Sequence, residues 1–214
     1  MISPIHHLAI LFLNNLLSVH LQSYSCPHRH VSVINAFQQN NLIQDLGING
    51  TTQQLEFIPM TYIGRRQVNC GTNFSNLDTL MEPEIKYNFH RERNGDDNIM
   101  FTFIMLDPDT LTPQFPVQRP VNHWLVVNIG DDVNSGTTLS TYAVPFPSPL
   151  FGPHRYAFLI YRQSRPVPPS PNYETLAERS NFQITAFAEA NGMTGPIAGN
   201  FFYEAIPGYY SSKG

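Results

Sequence analysis

Phe101-Thr-Phe-Ile-Met-Leu-Asp-Pro-Asp109 is the stretch whose reading decides the fold. An apolar run, Phe101–Leu106, ends on an acidic turn, Asp107-Pro-Asp109. Two runs of the same length and character follow at Trp124–Ile129 and Tyr156–Tyr161. His123 leads into the first of these and His154-Arg155 into the second. Runs of about six residues, rich in Val, Ile, Phe and Tyr and bounded by Pro, Gly and Asn, read as buried strands rather than helices. Three buried strands that bring one Asp and two His to their ends predict a polar pocket there.

The rest of the composition agrees with a β-rich globular domain. The chain has 214 residues, enough to bury a sizeable core. Charged residues make up 13%, about half the usual quarter. The formal net charge of −4 supplies no basic field of the kind that binds nucleic acid. There are 18 prolines, which predicts many turns and short strands. No segment has the ~20 apolar residues that a membrane-spanning helix needs.

Leu8 to Leu21 is mostly apolar, with Ser23 and Ser25 after it. That pattern predicts a secretory signal over residues 1–25 and one domain over residues 26–214. Its leader lacks Lys and Arg, so an amphipathic helix or an organelle-targeting segment is the competing reading. Asn49-Gly-Thr51 and Asn73-Phe-Ser75 fit the N-glycosylation acceptor pattern. Cys26 and Cys70 are the only cysteines. In an oxidising compartment they form one disulfide, and otherwise they are two free thiols.

Along the chain, Ile34 and Phe37 begin a short helix that Asn40-Asn41 ends. Gln54 to Ile63 reads as one edge strand, because Pro59 would break a central ladder. Arg65 to Asn69 and Ile85 to Phe89 read as short strands, and Asn94-Gly95 as a hairpin turn. Thr137 to Val144 is a further strand candidate, followed by the rigid loop Pro145-Phe-Pro-Ser-Pro149. Ser180 reads as the N-cap of a helix presenting Phe182, Ala186 and Ala190 on one face, stopped by Gly192. Met193 to Phe202 reads as loop and short strand.

Asp107-Pro-Asp109, His123-Trp-Leu-Val-Val-Asn-Ile129 and Gly152-Pro-His-Arg-Tyr156, in that order, resemble the phosphatidylethanolamine-binding protein family. That family includes Raf kinase inhibitor proteins and the yeast carboxypeptidase Y inhibitor. Phe182 to Ala188 and Gly195-Pro-Ile-Ala-Gly-Asn-Phe201 are similar to its closing helix and loop. The resemblance implies a mainly β fold: a central antiparallel sheet packed on a second, smaller sheet, with a few peripheral helices. It also implies a small pocket for phosphate-like anions. By position in the motifs, that role falls on Asp107, His123, His154 and Tyr156, with Pro147 in a neighbouring wall and Tyr209 as a counterpart of an aromatic residue over the pocket. Asp109 and Arg155 match the motif as structural residues. The sequence departs from the family at Thr110 and Leu111, where a small residue and a proline are usual, and at Phe146 and Ser148. A bulky Phe146 beside the pocket would narrow it.

The chemistry of the residues fits such a site. Two imidazoles donate hydrogen bonds when neutral, and charge-assisted ones when protonated. Asp107 accepts from a neighbouring His or from a ligand ammonium, and Tyr156 adds a hydroxyl and an apolar wall. The plain alternative makes His123 and His154 core histidines capping strand ends. Asp107, His123 and His154 also have the composition of a two-His, one-carboxylate metal site in a metal-dependent hydrolase. However, the chain has no His-Glu-x-x-His and no Gly-x-Ser-x-Gly. The sequence-level reading is a secreted, monomeric, non-enzymatic binding protein without a cofactor. Its partners are a phosphate-containing small molecule or phospholipid head group and, through its surface, an extracellular protein. The alternative is a protease or kinase inhibitor acting through that surface.

Overall fold

In a computed structural model the described residues are 25–27, 31–48, 54–109, 119–147 and 152–206. Asn49, Leu111, Ser148, Tyr209 and nearly all of the expected signal segment lie outside them.

The three apolar runs are three adjacent strands: β6 (Met100–Asp107), β7 (Val121–Ile129) and β9 (His154–Gln163). β6 is antiparallel to β7 on one side and to β9 on the other. The runs are apolar throughout because both faces of the sheet are covered. Ile104, Leu125 and Leu159 enter one core, and Phe103, Trp124 and Phe158 enter the other. Alternate residues of a strand point to opposite faces, so a doubly covered strand cannot spare either parity for water.

The remaining strands complete two sheets. β1 (Glu56–Phe57), β4 (Thr72–Ser75), β8 (Thr137–Ser140) and β10 (Met193–Ala205) join the large sheet in the order β1-β10-β9-β6-β7-β8, with β4 also paired to β10. β2 (Met60–Tyr62), β3 (Arg66–Gln67) and β5 (Glu84–Ile85) form the small one. The helices are α1 (Val33–Gln39), α2 (Leu42–Asp45), α3 (Phe89–Arg93), α4 (Leu176–Arg179) and α5 (Ile184–Ala190). α1, α2 and α5 bury Val33, Phe37, Leu42, Ile184 and Ala188 on the first face. Gly199 is required where α1 meets the sheet, since a Cβ there would lie 2.9 Å from the Phe37 ring. The small sheet covers the second face with Met60 and Tyr62. Cys26 and Cys70 are joined by a disulfide that ties the N-terminal segment to the turn before β4.

Several local expectations are corrected. Gln54 to Ile63 is two strands in two sheets, not one edge strand. Pro59, which has no N–H to give a ladder, marks the crossover between β1 and β2. Asn94-Gly95 makes no hairpin. Its two positive φ angles, 50° and 84°, end α3, and a helix stop uses the same left-handed geometry as a tight turn. Ile85 to Phe89 is strand only at its start, because Asn88 caps α3 through the Arg91 amide. Thr137 to Val144 is strand only as far as Ser140. Ser180 ends α4 rather than starting α5. The α4 start is a reciprocal cap between Thr175 and Glu178. The buried face of α5 is Ile184 and Ala188, while Ala186 and Ala190 are exposed. Finally, Met193 to Ala205 is one long strand whose register slips between Thr194 and Ala198, where Pro196 interrupts the pattern.

Candidate functional site

Antiparallel pairing places the end of β6 beside the starts of β7 and β9. Asp107 is opposite Val121, and Leu106 is opposite Ala157. A bulge then aims His123. Met105 pairs with Trp124 and Leu106 with Asn122, leaving His123 as the extra residue. An extra residue breaks the strict alternation of faces, and the His123 ring meets the Tyr156 ring edge-on at 5.2 Å. His154 and Tyr156 share their face by simple alternation. Thus Asp107, His123, His154 and Tyr156 are brought together, as expected.

Hydrogen bonds fix the state of each group. Asp107 Oδ1 accepts the Asp109 amide at 2.7 Å, and Oδ2 lies 2.9 Å from His154 Nδ1. The Tyr156 hydroxyl bonds to Asp107 and accepts the backbone amide of Phe146. His123 Nδ1 is 2.9 Å from the Ala143 carbonyl. A carbonyl only accepts, so His123 Nδ1 carries the proton and its Nε2 is a bare lone pair when the ring is neutral. Burial lowers the His123 pKa, against the opposing pull of Asp107 and the Ala143 bond. Burial also works against charge on His154, but the hydrogen bond and charge of Asp107 outweigh it and raise the pKa. The two imidazoles are therefore not equivalent donors, as the residue types alone suggested. Charge, and with it a proton on Nε2, is favoured on His154 and disfavoured on His123.

The neighbours are placed as follows. Pro145 and Pro147 are buried, while Phe146 is 77% exposed, so its ring turns to solvent. Arg155, on the opposite parity, donates to both Asp109 oxygens at 2.8 and 2.6 Å and to Asp45 at 2.7 Å. It locks the Asp-Pro-Asp turn onto α2. Asn73 is an exposed residue of β4. Tyr209 lies outside the described residues. Among the described residues no three His, Cys, Asp or Glu side chains gather as metal ligands would. Asp107 instead spends its oxygens on His154, Asp109 and Tyr156.

The sequence reading missed one member. Glu204 is fully buried and lies directly opposite His154 in the β9–β10 ladder. Its Oε2 accepts the Thr79 hydroxyl at 2.5 Å. The signal is a single carboxylate in the run Asn200-Phe-Phe-Tyr-Glu-Ala205, two residues past the expected end of the strand at Phe202. Two buried atoms here, His154 Nε2 and Glu204 Oε1, have no hydrogen-bond partner among the described residues.

A family model described as phosphatidylethanolamine-binding protein matches residues 33–202. The chain belongs to the phosphatidylethanolamine-binding protein family. Among its relatives, a 26 kDa secreted antigen of Toxocara canis is 33% identical over 150 residues, 68% of this chain and 55% of the antigen. A putative odorant-binding protein A5 of Drosophila melanogaster is 33% identical over 128 residues, 58% of this chain and 61% of that protein. The chain thus spans 55% and 61% of the length of these two relatives. A crystallised carboxypeptidase Y inhibitor, in complex with its cognate proteinase, superposes with a TM-score of 0.66 at 22% identity, covering 81% of this chain and 95% of the inhibitor. The sheet-on-sheet architecture with peripheral helices is that of the family. Among the described residues no helix is long and apolar enough to cross a membrane.

Proposed function

We propose that this phosphatidylethanolamine-binding protein family member is a secreted, non-enzymatic binding protein. In this reading its strand-end pocket takes the phosphate group of a small molecule or a phospholipid head group. The observation that carries the reading is His154 Nε2, buried and without a partner among the described residues, on a ring whose other nitrogen is fixed by Asp107. A buried polar atom of that kind calls for a hydrogen-bond partner, and an imidazolium N–H suits an anion. Tyr156 and the Pro145–Pro147 segment frame the site, with Tyr209 as an expected further wall. The secreted antigen and the odorant-binding relative, by their names, support export and ligand carriage. Acceptors at Asn49 and Asn73 and the Cys26–Cys70 disulfide suit the same compartment. Protease inhibition rests on the inhibitor neighbour alone, whose 22% identity carries the fold and not the activity, and it is not part of this reading.

Titration calorimetry with phosphoethanolamine tests the pocket. His154→Ala is expected to weaken binding roughly ten- to hundredfold, the loss of one charge-assisted hydrogen bond. His90→Ala, at an exposed position on α3, is expected to change nothing. Equal affinities for wild type and His154→Ala would overturn the assignment.

A further inference from the structure

Nothing in the anion reading explains a buried acid in the pocket wall. Glu204 is 0% exposed and stands across the ladder from His154, so the two side chains share a face. One carboxylate oxygen accepts from Thr79. The other has no partner among the described residues, and neither does His154 Nε2. Two unmet polar atoms on directly opposed residues point to one missing partner that touches both.

An ionised Glu204 against a bound anion would set like charges together in a poorly screened interior. One shared proton removes the conflict. Either neutral Glu204 donates to the anion, or a P–OH of the ligand donates to the carboxylate. We propose that Glu204 is a ligand-contacting acid of this pocket and restricts it to oxyanions with which it can share one proton. This rests on the anion reading and adds a selectivity to it.

The groups around Glu204 bear on its charge from every side. Thr79 and Asp78 face it from the loop after β4, Asp107 from β6, His154 and Tyr156 from β9, Tyr62 from β2 and Tyr142 from the segment after β8. Burial pushes its carboxyl up to about 8, with Asp78 and Asp107 adding to the rise and Thr79 and His154 opposing it. Below that pH the protein supplies the proton, and both sulfate and phosphate fit. Above it Glu204 ionises. Sulfate, which has no proton to give, is then refused, while inorganic hydrogen phosphate still carries a P–OH.

The test is calorimetric titration of the full chain with sulfate and with inorganic phosphate, on wild type and Glu204→Gln, across this pH range. Gln keeps an N–H donor and the Thr79 contact but does not titrate. In wild type, sulfate affinity should fall about tenfold per pH unit above about pH 8, more steeply than phosphate affinity. Its binding should take up close to one proton, read from heats in buffers of different ionisation enthalpy. In Glu204→Gln the excess slope and the excess proton uptake for sulfate over phosphate should vanish while binding persists. His154 is coupled to Glu204 but adds its slope to both anions alike, so within each protein it cancels in the difference between sulfate and phosphate. Anion binding with equal slopes in the two proteins, or with no proton uptake in wild type, overturns the role of Glu204 and leaves the anion site standing. No binding of either anion to wild type at any pH overturns both. If Glu204→Gln does not fold, the difference in proton uptake between sulfate and phosphate on wild type decides alone: equal uptake overturns the role of Glu204.

Discussion

Replacing Glu204 by Gln should stabilise the free protein, and the gain should depend on pH. The folded state raises the carboxyl pKa from 4.5 to about 8. Between those values the folded chain keeps a proton that the unfolded chain releases. Stability from this group is therefore full below about pH 4.5 and is lost as the pH rises towards about 8. At about 1.4 kcal/mol per pH unit, the upper limit of the penalty is about 5 kcal/mol. Relaxation and water penetration around a buried charge reduce such penalties, and about half that limit, ~2–3 kcal/mol, is the expected gain for Glu204→Gln above pH 8. For a chain of this size that raises Tm by roughly 5–10 °C. Below about pH 5 the two proteins should be nearly equal. Urea unfolding followed by the fluorescence of Trp124, the single tryptophan and a buried one, measures the difference in buffers free of phosphate and sulfate. A difference that does not change with pH, or a Gln variant that is less stable in alkali, would refute the placement of Glu204 as a buried, neutral acid.

Two further outcomes are expected. Changing both Cys26 and Cys70 to Ser opens a loop with a sequence separation of 44 and should cost about 4 kcal/mol in the chain-entropy model; thiol titration of the unreduced, denatured protein should find no free thiol. Expression in a secretory host should yield a mature chain beginning near Cys26, read by N-terminal sequencing, and an intact Met1 on exported protein would count against the signal.

The centre of the fold was legible because three runs buried on both faces leave no polar parity to confuse the reading. Their ends were legible because Asp107, His123 and His154 interrupt apolar stretches where an ordinary strand would not place them. What was missed shares a physical cause. Asn94, Gly95 and Ser180 are local signals compatible with more than one structure, and tertiary packing chose the helix ends. Glu204 was missed because the last strand reads as ending at Phe202, whereas its ladder with β9 runs on to Glu204. The unequal roles of His123 and His154 depend on which atom each Nδ1 meets, a carbonyl or a carboxylate, and no residue spacing states that.

The most direct test of the pocket is a crystal structure of the protein soaked with phosphoethanolamine. The account predicts a tetrahedral group within about 2.7–2.9 Å of His154 Nε2, bordered by His123, Tyr156 and Glu204. At saturating ligand, a His154 Nε2 bonded only to water or to another side chain, with the phosphate elsewhere or absent, would contradict it.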